Sequence, residues 1–169
     1  MNKKIITICR SFGAEGHEIG KELSERLSIP LYDKDLLDIA AQKSNLDLNH
    51  AATLDEQISR KIISHYFLMS QDIESDRLFR EEKNLILQLA ERGPCIIVGR
   101  MADYILRQRP DCLKVFITAP YQTRVGIIRE KYGISTEEAE KTVRKMDTAR
   151  EEFYRYYSNG KWQQETDKD

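Results

Sequence analysis

Long apolar runs are missing from this sequence of 169 residues. Nothing approaches the roughly 20 apolar residues of a bilayer-crossing helix, and the few apolar residues before Arg10 are too short for a secretory leader. An excess of one charge is missing too. The 28 acidic and 27 basic residues leave a net charge of -1, so no bulk field draws the chain to nucleic acid or an anionic membrane. Any anion site must come from local placement. Cysteine is scarce: Cys9, Cys95 and Cys112 lie in or beside apolar runs, show no metal-ligand spacing and read as buried thiols of a reducing compartment. A cytoplasmic protein with no nucleic-acid or membrane partner is expected. Between about Asp35 and Arg92 glycine and proline are absent, which argues against tight turns and for successive helices. Internal repeats, low-complexity linkers and sustained heptads are absent as well.

What remains reads as one α/β domain, the economical assignment for this length. Three apolar runs, Ile5 to Cys9, Cys95 to Val98 and Leu113 to Thr118, have the character of buried parallel strands, and Leu31-Tyr32 after Pro30 is a weaker fourth. Helical patterns follow them. From Gly16 to Leu27 the apolar residues Ile19, Leu23 and Leu27 recur every fourth position, which predicts one stripe laid on the sheet. Arg92-Gly93-Pro94 stops the helical region before the second run. Helices are predicted over Tyr121 to Tyr132, ended by Gly133, and over Ser135 to Tyr157, opened by a Ser135/Glu138 capping box. The tail from Ser158 is polar apart from Trp162.

The first run leads through Arg10-Ser11-Phe12 into Gly13, Gly16 and Gly20, the sequence of a buried strand, a phosphate-cradling turn and a helix start. A complete Walker A pattern adds a lysine for the outer phosphates and a serine or threonine for magnesium. No Gly-Lys-Ser or Gly-Lys-Thr is found here in any register. Positive charge near the turn comes from Arg10, His17 and Lys21, while Glu15 and Glu18 put negative charge where phosphate would sit. The candidate phosphate-binding residues are Arg10, Gly13, Ala14, Glu15, Gly16 and His17.

Two other readings of this turn stand beside that one. It is a bare strand-to-helix connection, or it belongs to a dinucleotide site, because Asp33 lies 20 residues after Gly13, where a ribose-binding acid belongs. The spacing Gly-x-x-Gly-x-x-x-Gly is not the Gly-x-Gly-x-x-Gly of such sites. Asp33 also suits a helix cap or a magnesium-bound water. Arg100 ends an apolar strand at the carboxyl edge of the sheet, where α/β ligands bind. Arg144, Arg150 and Arg155 either converge on phosphate or form a solvated face that pairs with neighbouring glutamates. Phe153, Tyr154, Tyr156, Tyr157 and Trp162 stack a base or pack against the domain.

Read together, these segments resemble the cytidylate kinase-like family of P-loop proteins. The resemblance rests on Ile5-Thr7-Ile8 with Gly13 and Gly16, on Leu31-Tyr32-Asp33, on Ile97-Val98-Gly99-Arg100 with Ala102 to Leu106, and on Val115 to Ile117 followed by Asp147, Arg150 and Tyr154 to Tyr157. It implies a P-loop NTPase-type parallel sheet of five strands flanked by helices, with a helical monophosphate-binding insertion at about 35–92 and lid-like helices at about 121–157. Gly99-Arg100 is similar to a Gly-Arg-Asp whose arginine meets the acceptor nucleotide, with Met101 in place of the acid. Arg144, Asp147 and Arg150 fall near the lid residues. Glu15, Gly16 and Glu18 stand roughly where the family has glycine, lysine and threonine. Relatives also continue through a further strand, which nothing in Gln163 to Asp169 resembles, so an incomplete sheet edge is expected.

The resemblance thus implies a nucleoside monophosphate kinase-like protein using ATP and magnesium, with a nucleotide or other phosphorylated small molecule as partner. Arg100, Arg144, Asp147 and Arg150 are its catalytic candidates, and no residue is assigned to a metal directly. The alternative is a nucleotide-sensing or scaffold protein that kept the fold and lost the transfer; a dinucleotide-binding enzyme is a distant third. Association into a homo-oligomer stays open.

Overall fold

β-Branched residues favour an extended strand buried on both faces, and Ile5–Arg10 forms such a strand, β1, inside a parallel sheet. The computed structural model describes residues 4–33 and 73–158. After β1 come α1 (Gly16–Leu27), β2 (Leu31–Tyr32), α2 (Ile73–Arg92), β3 (Cys95–Val98), α3 (Ala102–Ile105), β4 (Cys112–Ile117), α4 (Tyr121–Tyr132) and α5 (Thr136–Ser158). The strand order is β2-β3-β1-β4, and every pairing is parallel. Among the described residues the sheet therefore has four strands, one fewer than the resemblance implies. The expected helices before Ile73, the tail with Trp162 and the question of a strand after Gln163 lie outside the described residues.

The sheet is covered on both faces. Leu85, Ile86 and Leu89 of α2 pack with Ile5, Ile97 and Leu106, while Ile8, Ile96 and Val98 pack with Leu23, Ile29 and Leu31. A third cluster joins Phe12 to Val125 and Ile128 of α4 and to Ala139, Val143 and Met146 of α5. The capping box forms as expected: Ser135 N–H donates to Glu138 Oε2 at 3.0 Å and Glu138 N–H donates to Ser135 Oγ at 3.2 Å. Gly133 ends α4 at φ 64°, and its N–H donates to the Arg129 carbonyl. All three cysteines are buried. Burial, then the neighbouring Cys112, pushes the Cys95 thiol up to about 11, which keeps it protonated and unreactive near neutral pH.

The expected stripe on α1 needs correction. Ile19 and Leu27 are 43% and 49% exposed, and of the three only Leu23 packs against the sheet. The buried positions of this helix are Gly16 and Gly20. A Cβ at Gly20 would lie 3.1 Å from Val98 Cγ2 and 3.2 Å from Leu31 Cδ1, so the helix backbone itself is pressed onto the strands. Close approach at the glycines rotates the apolar stripe away from the sheet. We predict that Gly20→Val destabilises the fold by about 1–3 kcal/mol through overpacking, whereas Ile19→Ala stays within about 0.5 kcal/mol. Urea unfolding of the two variants checks the contrast.

Candidate functional site

The chain leaves β1 toward β2 and leaves β3 in the opposite direction, past β1, toward β4. The carboxyl ends of β1 and β3 therefore flank a topological switch point, the usual ligand crevice of an open α/β sheet. Arg10 ends β1 there, and Gly99 follows β3.

The turn between β1 and α1 is built from left-handed residues. Gly13 has φ 79° and Glu15 φ 56°. At Gly13 the space is as restrictive as the dihedral, because a Cβ there would come within 2.9 Å of the Arg124 carbonyl oxygen. Glu15 occupies the N-cap position of α1 but makes no side-chain capping bond. Uncapped amide groups at a helix start favour an anion.

Arg10 crosses this turn. A Cβ at Gly16 would lie 2.8 Å from Arg10 Cγ and 2.9 Å from Arg10 Cβ, and one at Gly99 would run into Arg10 Nη1. The two glycines leave the channel through which the side chain passes. Arg10 Nη2 faces Asp33 Oδ1 at 3.5 Å, and His17 Nδ1 donates to Asp33 Oδ2 at 2.7 Å. Burial, then the like charge of Arg150, lowers the Arg10 pKa to about 10. Its guanidinium remains charged at neutral pH.

A buried arginine fixes the turn from the other side. Arg124 Nη1 donates to the Phe12 carbonyl at 2.9 Å and to Asp147 Oδ2 at 2.5 Å, and its Nε donates to the Ala119 carbonyl at 3.0 Å. Asp147 Oδ1 accepts from Phe12 N–H at 2.8 Å. Arg150 Nη1 donates to the Arg10 carbonyl at 2.9 Å, with its guanidinium 5.3 Å from the Phe12 ring centre. At the outer rim Lys131 Nζ donates to Glu18 Oε1 at 2.6 Å. These groups surround a cavity of about 220 Å³ whose walls include Arg10, Gly16, His17, Asp33, Lys131 and Arg150. Among the described residues Arg150 is ion-paired with no carboxylate, which leaves its charge available at the wall.

Of the sequence candidates, Arg10, Gly13, Glu15, Gly16, His17, Asp33 and Arg150 meet at this cavity. Ala14 is buried behind it, with its N–H donating to the Ser11 carbonyl. Asp147 reaches the turn through Phe12 and Arg124. Arg100 is drawn instead toward α2, its Nη1 3.3 Å from Glu82 Oε1, with both side chains buried. Burial pushes the Glu82 carboxyl up, opposed by Arg100. Arg100 and Met101 both have φ 54°, a backbone strain often stored beside functional sites. Arg144 Nε donates to the Tyr121 hydroxyl at 2.9 Å, and Arg155 pairs with Glu151. Neither lines the cavity. Of the aromatic group of α5, Tyr157 stacks on Phe79 of α2 and donates to Asp76, and Tyr154 donates to Asp103, while Tyr156 is exposed. Asp33 engages His17 and Arg10, and the helix start it is also expected to cap lies outside the described residues.

Sequence reading missed Arg124 and Lys131. Their signal was present. Arg124, Ile128 and Lys131 are spaced i, i+4, i+7 and so share one face of the helix predicted over Tyr121 to Tyr132.

Among known proteins, the model of a family described as the cytidylate kinase-like family matches residues 5–169. No curated protein matches the chain. The crystal structure of an uncharacterized protein from Eubacterium ventriosum ATCC 27560 is similar over 98% of this chain and 84% of that one, with a TM-score of 0.74 and 28% identity. Shikimate kinase from Bacteroides thetaiotaomicron matches over 89% of this chain and 81% of its own, with a TM-score of 0.53 and 15% identity. TT1252 from Thermus thermophilus matches over 88% and 87%, with a TM-score of 0.53 and 18% identity. The last two share the fold. No described helix is long and apolar enough to cross a membrane.

Two predictions concern the frame of the cavity. Asp147→Ala leaves the buried Arg124 guanidinium without its carboxylate and should cost about 3 kcal/mol of unfolding free energy, measured in urea. The Glu18 carboxyl is held below its ordinary 4.5 because the hydrogen bond and charge of Lys131 outweigh the opposing effect of burial. A lowered acid pKa stabilises above the unfolded value, and that contribution is lost as pH falls through the folded value. Lys131→Met should therefore melt below the parent protein at neutral pH, by less than about 1 kcal/mol for so exposed a pair. The two melting curves should converge below the ordinary carboxylate range.

Proposed function

The chain belongs to the cytidylate kinase-like family, and on that premise we propose that it binds the phosphates of a nucleotide in the cavity at the Gly13 to His17 turn and transfers the terminal phosphate of ATP to a small acceptor. One observation carries this reading. The uncapped start of α1 faces a wall that includes Arg10, Lys131 and Arg150, and Arg150 has no carboxylate partner among the described residues.

Phosphoryl transfer asks a protein mainly for positioning and for charge to meet the oxygens of the moving group. The turn amides hold phosphate oxygens. A guanidinium meets phosphate through two parallel N–H groups and keeps its charge when desolvated, so Arg10 and Arg150 take the inner side of the cavity. Lys131 takes the rim, where Glu18 holds it until an anion competes. Asp147 and Arg124 act as positioning residues by fixing Phe12, and Arg100, paired with Glu82 on the strained turn after β3, lies outside the cavity wall. Among the described residues no group of three potential ligands occurs, and Asp33 directs its two oxygens to Arg10 and His17. Magnesium, which is carried on nucleotide phosphates with few protein ligands, would enter with the nucleotide. A cytoplasmic setting suits this chemistry.

A second reading is favoured by one feature: Gly16, between Glu15 and Glu18, stands roughly where the resemblance to the family puts its lysine. A protein that binds nucleotide without transfer fits that feature. Titration with ATP, CMP and NAD, with and without magnesium, separates the readings when thermal stability and product are followed together. Nucleotide at a hundred times its dissociation constant adds about 2.7 kcal/mol to the native state. A shift with phosphorylated product supports the kinase, a shift without product supports the sensor, and no shift with any nucleotide at millimolar concentration overturns both.

A further inference from the structure

We propose that Arg10 replaces the missing lysine of the glycine turn: its guanidinium, carried in from the end of β1, is the cation that holds the outer phosphates of a nucleoside triphosphate. This inference rests on the nucleotide-binding reading above and names the residue that makes it workable.

The route of the side chain carries the proposal. Arg10 lies before the turn, six positions ahead of Gly16, yet its Cβ and Cγ occupy the place where a side chain at 16 would begin. The guanidinium then passes against Gly99, so a Cβ at either glycine would collide with the arginine. A lysine at 16 and an arginine at 10 are mutually exclusive in this backbone. The turn has exchanged one cation for another, with the charge entering from the strand side instead of from the helix.

The guanidinium is also left with donors to spare. Among the described residues its only carboxylate partner is Asp33, at 3.5 Å and without a hydrogen bond, and Asp33 is already engaged by His17 at 2.7 Å. The side chain is 19% exposed and lines the cavity, so these donors open onto it. Arg150 brings a second guanidinium to the same carbonyl end of β1. Two mostly sheltered like charges at one point repel each other, and an anion placed between them relieves that repulsion. Asp33 and His17 then serve to aim Arg10 and leave its outer face to the ligand.

The rival role for the same geometry is a plug, in which the arginine fills the turn and excludes phosphate. Calorimetric titration of the full chain with ATP and with AMP distinguishes the two roles. Arg10→Met, which keeps much of the stem and removes the charge, should weaken ATP binding roughly ten- to hundredfold and leave AMP binding nearly unchanged, because the lost contact is to the outer phosphates. The exchange Arg10→Gly with Gly16→Lys should recover ATP binding to within about tenfold of the parent. Arg10→Lys, which preserves stem and charge, covers the case in which Arg10→Met does not fold: its loss should fall on ATP and spare AMP. Thermal melts establish that each variant is folded.

The proposal is overturned if folded Arg10→Met binds ATP as tightly as the parent or more tightly. An equal loss for ATP and AMP in Arg10→Met or Arg10→Lys, or a folded double variant that binds no better than Arg10→Met, overturns it too. An unmodified chain that binds no ATP at millimolar concentration defeats the nucleotide reading itself, which separates that failure from the failure of Arg10 alone.

Discussion

Arg124 Nη1 makes two hydrogen bonds, one to the Phe12 carbonyl and one to Asp147, and the shape of the cavity depends on that pair. Phe12 in turn donates its N–H to the same carboxylate. A residue whose N–H and carbonyl are both bonded to one ion pair has the two peptide planes around it fixed, so the residues after it are delivered in a set direction. Gly13 can then run beneath the Arg124 carbonyl, where a larger residue would not fit. The same clasp joins α4 and α5 to the end of β1. Through it the packing of Phe12 against Val125, Val143 and Met146 supports the turn.

Charge around the cavity is arranged in graded degrees of commitment. Arg100 and Glu82 are withdrawn into the interior, where desolvation makes an unpaired partner costly. Lys131 and Glu18 form a half-exposed pair that competing anions or salt can loosen. Arg10 and Asp33 stand between those extremes, and among the described residues Arg150 is bound to a carbonyl rather than to an acid. Neutrality of the whole chain conceals this local order. It is compatible with an anion site because sites are made by placement, not by sums.

The fold was legible where burial on both faces imposes a run of apolar residues. β1, β3 and β4 could be read within a residue or so of their ends, as could the helices stopped by Gly133 and opened by Ser135. Their physical signals, continuous β-branched runs and polar caps, are local in the chain. The orientation of α1 was not legible, because Ile19, Leu23 and Leu27 form a good stripe on paper and only the close approach at Gly16 and Gly20 shows which side meets the sheet. The site divides the same way. The glycine turn is contiguous and could be found, while Arg124 and Lys131 reach it across long separations in sequence; Asp147, equally distant, was named only through the family resemblance. Arg144 and Arg100 illustrate the converse, since place in the chain and family resemblance name a residue but leave open which partner it selects, here Tyr121 for one and Glu82 for the other.

The position of β1 bears on how the protein is made. It is an inner strand, and both of its neighbours, Cys95–Val98 and Cys112–Ile117, come much later in the chain. At ordinary rates of synthesis the ribosome needs on the order of ten seconds to reach β4 after completing β1. Throughout that interval Ile5-Ile6-Thr7-Ile8-Cys9 is a β-prone apolar segment with neither edge paired, open to the wrong partners. The same placement that shelters the segment in the finished sheet leaves it in need of protection during translation.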